Sequence, residues 1–184
     1  DNTVDGVNRR GRTAGYLGWK EEVAWAAAKL ARPRRAPWLA AASHYPPYSY
    51  GAHHKDDGPK PATGPWFNDR PSWERTRADL LPLFQKSGID FWLGGHDHNL
   101  QHLTHPDWPG LDVLVSGAGG GTSPYARHPL APAGGLFVKG AGWVHLHLTR
   151  DEAEITFWHV KGLGVGKPGG RLEQAGRFTR RARR

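Results

Sequence analysis

Cysteine is absent from the 184 residues, which excludes a disulfide framework, a thiolate metal site and a catalytic thiol. Any bound metal must then be held by His, Asp, Glu, Asn or Tyr. Long apolar runs are missing as well. No stretch approaches the ~20 residues needed to span a bilayer, and the polar residues 1–12 carry no signal-peptide pattern. The sequence therefore leaves the compartment unassigned. Acidic side chains are in the minority, 17 against 25 Lys and Arg, and the formal net charge of +8 favours anionic substrates or surfaces. Much of the excess sits in two clusters, Arg32, Arg34 and Arg35, and Arg177, Arg180, Arg181, Arg183 and Arg184. They read as a solvated surface and a frayed terminus. Specific nucleic-acid binding ranks last, because the aromatics are scattered and do not interleave with arginine.

What is present is 25 Gly, 15 Pro, 9 Trp and 38% hydrophobic residues, the composition of a loop-rich globular protein. The length suits one compact domain. Residues 18–31 (GWKEEVAWAAAKLA) predict a helix, with Glu21 and Glu22 in its first turn, Lys29 near its end and Pro33 as a stop. The short apolar run 37–43 reads as a buried strand ending at His44. Residues 45–72, rich in Pro, Gly, His and Asp, read as a long surface loop. A second helix is expected over 72–86, with Ser72 as N-cap and Gly88 beyond its end. Strands follow at 89–95, 99–105, 111–117, 142–149 and 152–160, the last two antiparallel around a turn at Arg150 and Asp151. From Gly162 onward the chain is Gly- and Arg-rich with little to pack. The order of elements is that of an α/β protein.

Three of the eleven histidines lie where a strand gives way to a loop: His44 after WLAAAS, and His96 and His98 after DFWLGG. Strand ends are where sheet proteins place reactive groups. Residues two apart in an extended segment project to one side, ~6.6 Å apart, so His96 and His98 can each serve a different ion of a two-metal site. Gly94 and Gly95 would let the backbone approach such ions. Taken alone, His-x-His is also a common surface accident.

The longer context is more specific. GGHDHNLQHL (94–103), followed by LVSGAGG (114–120) and preceded by SHYPPYSYGAHH (43–54), resembles the calcineurin-like metallophosphoesterases. Among these it is most similar to the tartrate-resistant purple acid phosphatases. The resemblance implies an α/β fold, the C-terminal portion of an αββα sandwich with a mixed sheet and flanking helices. It divides the chain into a partial phosphoesterase domain, 1–161, and a Gly/Arg-rich tail, 162–184. It further implies hydrolysis of phosphate monoesters at a dinuclear centre of Fe(III) with Fe(II), Zn or Mn. In that scheme His44 and His96 ligate the divalent ion and His98 the ferric ion. His53 contacts the substrate phosphate and helps protonate the leaving group, and His54 completes a doublet.

The family's bridging aspartate, its Gly-Asp-x-x-Tyr and its Gly-Asn-His motifs do not occur here. Two cations surrounded only by neutral imidazoles keep uncompensated charge, so the chain is expected to be inactive without a partnering N-terminal half. A start at Asp1 rather than Met fits a fragment, a truncated gene model or a remnant. The alternative function is a non-catalytic site that holds one metal or a phosphate through His44, His96 and His98. Either way, this portion is expected to keep mainly one of the two sheets, with an exposed inner face. Members of this family are often secreted, lysosomal or vacuolar.

Overall fold

A computed structural model describes residues 19–51, 76–120, 135–162 and 169–183. His53, His54 and Ser72 lie outside the described residues.

Helix α1 (Trp19–Leu30) forms where expected, with its acidic residues at the start and Lys29 at the end, matching the helix dipole. Strand β1 (Ala40–Ala42) is only three residues long. The second helical segment enters through a π-type turn, Thr76–Leu80, and continues as α2 (Leu81–Lys86), with Pro82 tolerated in its first turn. Gly88, at φ 70°, then turns the chain into the sheet. Trp19 Nε1 donates to Asp79 Oδ2 (2.7 Å), which ties α1 to this segment.

Strands β2 (Phe91–Gly94), β3 (Leu100–Leu103), β4 (Asp112–Ser116) and β5 (Leu136–Val138) join β1 in a mixed five-stranded sheet. Its order is β1-β2-β4-β3-β5, with β1, β2 and β4 parallel. Strands β6 (Gly142–Leu148), β7 (Glu152–Lys161) and β8 (Arg171–Arg181) form a second, antiparallel sheet. The β6–β7 pair turns at Arg150 and Asp151 as the alternation predicts.

Both faces of the five-stranded sheet are covered, which explains its continuous apolar runs FWL and VLV. On one face Trp92, Val113 and Val115 pack with Trp19, Ala26, Leu80 and Leu81 of the helices. On the other, Phe91, Leu100 and Leu114 meet Ala153, Ile155 and Phe157 of the second sheet. The expectation of a single surviving sheet with a bare inner face is thus overturned. Strands β6 to β8 supply the second layer.

The segment read as a tail with little to pack contains the longest strand, β8. Its arginines are not idle surface charge. Arg180 donates to Asp90 O (3.0 Å), Asp90 Oδ1 (2.9 Å) and Asp112 Oδ2 (2.8 Å), and its guanidinium lies over the Phe91 ring. Arg34, from the first cluster, also pairs with the fully buried Asp90, as does Arg183. The two arginine clusters therefore converge on one carboxylate. Burial pushes the Asp112 carboxyl up, but hydrogen bonds from His102 and Arg180 outweigh it and leave the group below the usual carboxylate range.

Candidate metal centre

Residues 45–51, read as the start of a surface loop, are instead largely packed: Tyr48 and Ser49 are buried. Beyond β1 the chain stays aligned with β2, since Ser43 N donates to Leu93 O (3.0 Å) and Gly95 N to His44 O (3.0 Å). Trp92 Nε1 adds a bond to Ser43 Oγ (2.9 Å). Gly94 is required by close packing, because a Cβ there would sit 2.7 Å from Pro46 Cβ. Its role is thus to admit Pro46.

After β2 the segment bends rather than staying extended. His96 adopts φ 61°, and Asp97 N to Gly95 O (2.7 Å) and Asn99 N to Asp97 O (2.8 Å) close tight turns. A non-glycine residue in this region is strained by ~1–2 kcal/mol, and the surroundings must hold it there. Those surroundings centre on Asp97, fully buried between the two histidines. Its Oδ2 accepts from Ser49 Oγ. Ser49 Oγ in turn accepts from Gln101 Nε2 (2.7 Å) and Gly51 N (3.3 Å), while Gln101 Oε1 accepts from Tyr50 N (2.8 Å). This buried polar network clamps the segment after β1 onto the segment after β2. Gly117 completes it, because a Cβ there would lie 2.0 Å from Asp97 O.

The result of the clamp is one imidazole pair. His44 Nε2 and His96 Nδ1 are 3.2 Å apart, and the ring of Tyr45 packs against both. Two nitrogens bound to a single tetrahedral ion at ~2.0–2.1 Å lie roughly 3.3 Å from each other, so the spacing fits two ligands of one divalent cation. Neutral imidazole suits Zn, Fe or Mn.

His98 is exposed. Among the described residues, no group of three His, Asp or Glu side chains converges as a metal site. The turn at His96 breaks the extended geometry from which a same-side projection of residues 96 and 98 was expected. Asp97, Ser49 and Gln101 were missed by sequence reasoning. No local pattern marks Asp97, because its burial depends on Ser49 and Gly117, far from it in the chain.

The family model for calcineurin-like phosphoesterases matches residues 2–100. Over 89 residues the chain is 35% identical to purple acid phosphatase 17 of Arabidopsis thaliana, covering 46% of this chain and 25% of that protein. With tartrate-resistant acid phosphatase type 5 of Homo sapiens it shares 29% identity over 171 residues, 89% of this chain and 44% of the relative. A purple acid phosphatase from seeds of yellow lupin (Lupinus luteus) has the same fold, with a TM-score of 0.56 and 19% identity over 89% of this chain and 28% of that structure. The chain spans less than half the length of each. Since the family match covers more than half of these residues, from before α1 through the histidine turn to the start of β3, the chain belongs to the calcineurin-like phosphoesterases.

Proposed function

We propose that this chain contributes the histidine ligands of a two-metal centre that hydrolyses phosphate monoesters in the manner of an acid phosphatase. The single observation that carries the reading is the His44–His96 pair, 3.2 Å apart at the ends of adjacent parallel strands. His44 and His96 would share one divalent ion, and His98 would serve a second, ferric one. When bound, two such ions supply a hydroxide nucleophile at mild pH and neutralise charge on the phosphoryl oxygens.

The chain's own residues orient and protonate. The Ser49–Asp97–Gln101 network fixes the backbone that carries His96, and Tyr45 fixes both rings. His53 and His54 are assigned to the substrate: a free imidazole titrates near ~6.5 and can give a proton to the departing alkoxide in mildly acidic medium. No carboxylate joins the imidazole pair among the described residues. A centre with normal affinity then needs anionic ligands from elsewhere in the enzyme, and the chain alone should not turn over substrate.

Zinc titration of the chain, beside His44→Ala and His96→Ala variants, tests the pair. Stoichiometric binding that either substitution abolishes supports it, and equal binding by all three refutes it. Hydrolysis of p-nitrophenyl phosphate by the isolated chain at the rate of a full-length relative would refute the need for further ligands. Continued inactivity, with one ion bound, after addition of a relative's N-terminal half would favour a mononuclear binding module instead.

A further inference from the structure

A cationic feature lies at the end of the sheet opposite the imidazole pair. An open cleft of about 1310 Å³ forms where the segment leading into β1, the β6–β7 turn and the end of β8 meet. Arg34, Arg35, Arg150, Arg181 and Arg183 line it, with Asp151 and Glu152 as the accompanying carboxylates. Two of these arginines are fixed in place. Arg34 donates to Ala36 O (2.9 Å) and Gly88 O (2.8 Å), Arg183 donates to Ile89 O (3.3 Å), and both pair with Asp90.

The other three differ. Arg35, Arg150 and Arg181 are exposed and form no ion pair with a carboxylate among the described residues. Like charges gathered around one concavity raise its positive potential, and a ligand with several negative oxygens relieves that repulsion through charge-assisted hydrogen bonds. No aromatic side chain lines the cleft among the described residues, so bases would find no stacking platform. With Arg34 and Arg183 already paired to Asp90, the three remaining guanidiniums, set against Asp151 and Glu152, suit several phosphate groups in a row better than one.

We propose that this cleft binds a short inorganic oligophosphate. It is separate from the imidazole pair. Arg35 precedes β1 and His44 follows it, so the two stand at opposite ends of that strand.

Calorimetric titration of the full chain with tripolyphosphate at low salt tests the assignment. The comparison proteins are an Arg35→Ser, Arg150→Ser, Arg181→Ser triple variant and a His44→Ala, His96→Ala double variant, each checked for folding by circular dichroism. All three arginines are exposed, so the triple variant is expected to fold. One exposed ion pair contributes roughly 1.4- to fivefold in affinity, so losing three should weaken tripolyphosphate binding by roughly three- to a hundredfold. The double histidine variant should bind within about twofold of the parent. Unchanged affinity in the triple variant overturns the proposal, as does loss of binding in the histidine variant. Orthophosphate binding as tightly as tripolyphosphate also overturns it. A single-stranded oligonucleotide of matched charge that binds more tightly through the same arginines would make the cleft a nucleic-acid surface and overturn it too.

Discussion

Replacing Arg180 with methionine keeps the aliphatic bulk over Phe91 and deletes one guanidinium that bonds to two carboxylates and a carbonyl. Arg180 is mostly buried and Asp90 wholly so, with side-chain exposures of 17% and 0%. Removing one partner from a buried pair costs about 3–5 kcal/mol. Asp90 keeps Arg34 and Arg183, and Asp112 keeps His102, which places the expected loss near the low end. With a urea m-value of ~2 kcal/mol per molar, a loss of about 3 kcal/mol lowers the unfolding midpoint by roughly 1.5 M.

The same substitution changes the response to acid. The Asp112 carboxyl is held below its ordinary value of 3.8 in the folded chain. Its contribution is complete above the unfolded value and is lost as pH falls through the folded value. Without Arg180 the folded value rises toward the ordinary one, so acid unfolding should begin at higher pH. Urea melts followed by tryptophan fluorescence from pH 7 down to pH 3 report both effects. A midpoint shift under about 0.3 M, or an unmoved acid transition, refutes the role given to Arg180 as the buried partner of Asp90 and Asp112.

Other perturbations probe different parts of the structure. Gly117→Ala forces a Cβ within 2.0 Å of Asp97 O, so it should destabilise by about 1–3 kcal/mol and weaken zinc binding together, read by thermal melts and metal titration. Phe157→Ala empties the centre of the inter-sheet cluster and should cost about 3–5 kcal/mol in urea denaturation, whereas a face that was open in solution would lose far less. Ser49→Ala leaves Asp97 and Gln101 short of a buried partner. It should cost about 1–3 kcal/mol in thermal unfolding, with Ser49→Thr restoring part of the loss if the hydroxyl is what matters.

Some of this architecture was plain in the chain. Helix α1 declared itself through Glu21, Glu22, Lys29 and Pro33, and the β6–β7 hairpin through alternation that pairs Val144 with Phe157 and Leu146 with Ile155. Strand β8 was hidden for a physical reason. Its side chains packed toward the core include Ala175 and Phe178, but Arg180 points the same way toward Asp90 and Asp112. An inward arginine breaks the apolar alternation by which a strand is recognised, and the bulge between Phe157 and Trp158 shifts the register further. Strand β5, at three residues, is too short for any period to register. At the candidate site, His44 and His96 were legible as strand-end histidines. The left-handed turn at His96 and the inward Asp97 were not, because both depend on Ser49 and Gly117, which are distant in sequence.

Strands β1 and β2 pair as a ladder over three residues, Ala40 with Phe91, Ala41 with Trp92 and Ala42 with Leu93, and two further backbone bonds, Ser43 N to Leu93 O and Gly95 N to His44 O, carry the register on to the histidine. Alanines grip a neighbour weakly, so the register at the histidine rests on those two bonds and on the network around Asp97. A slip of one position would carry His44 ~3.3 Å along the strand and turn it to the other face, far enough to part its nitrogen from that of His96. The imidazole pair therefore works as a vernier. Any probe sensitive to whether the two rings meet also reads, to a single residue, how the edge of the sheet is aligned.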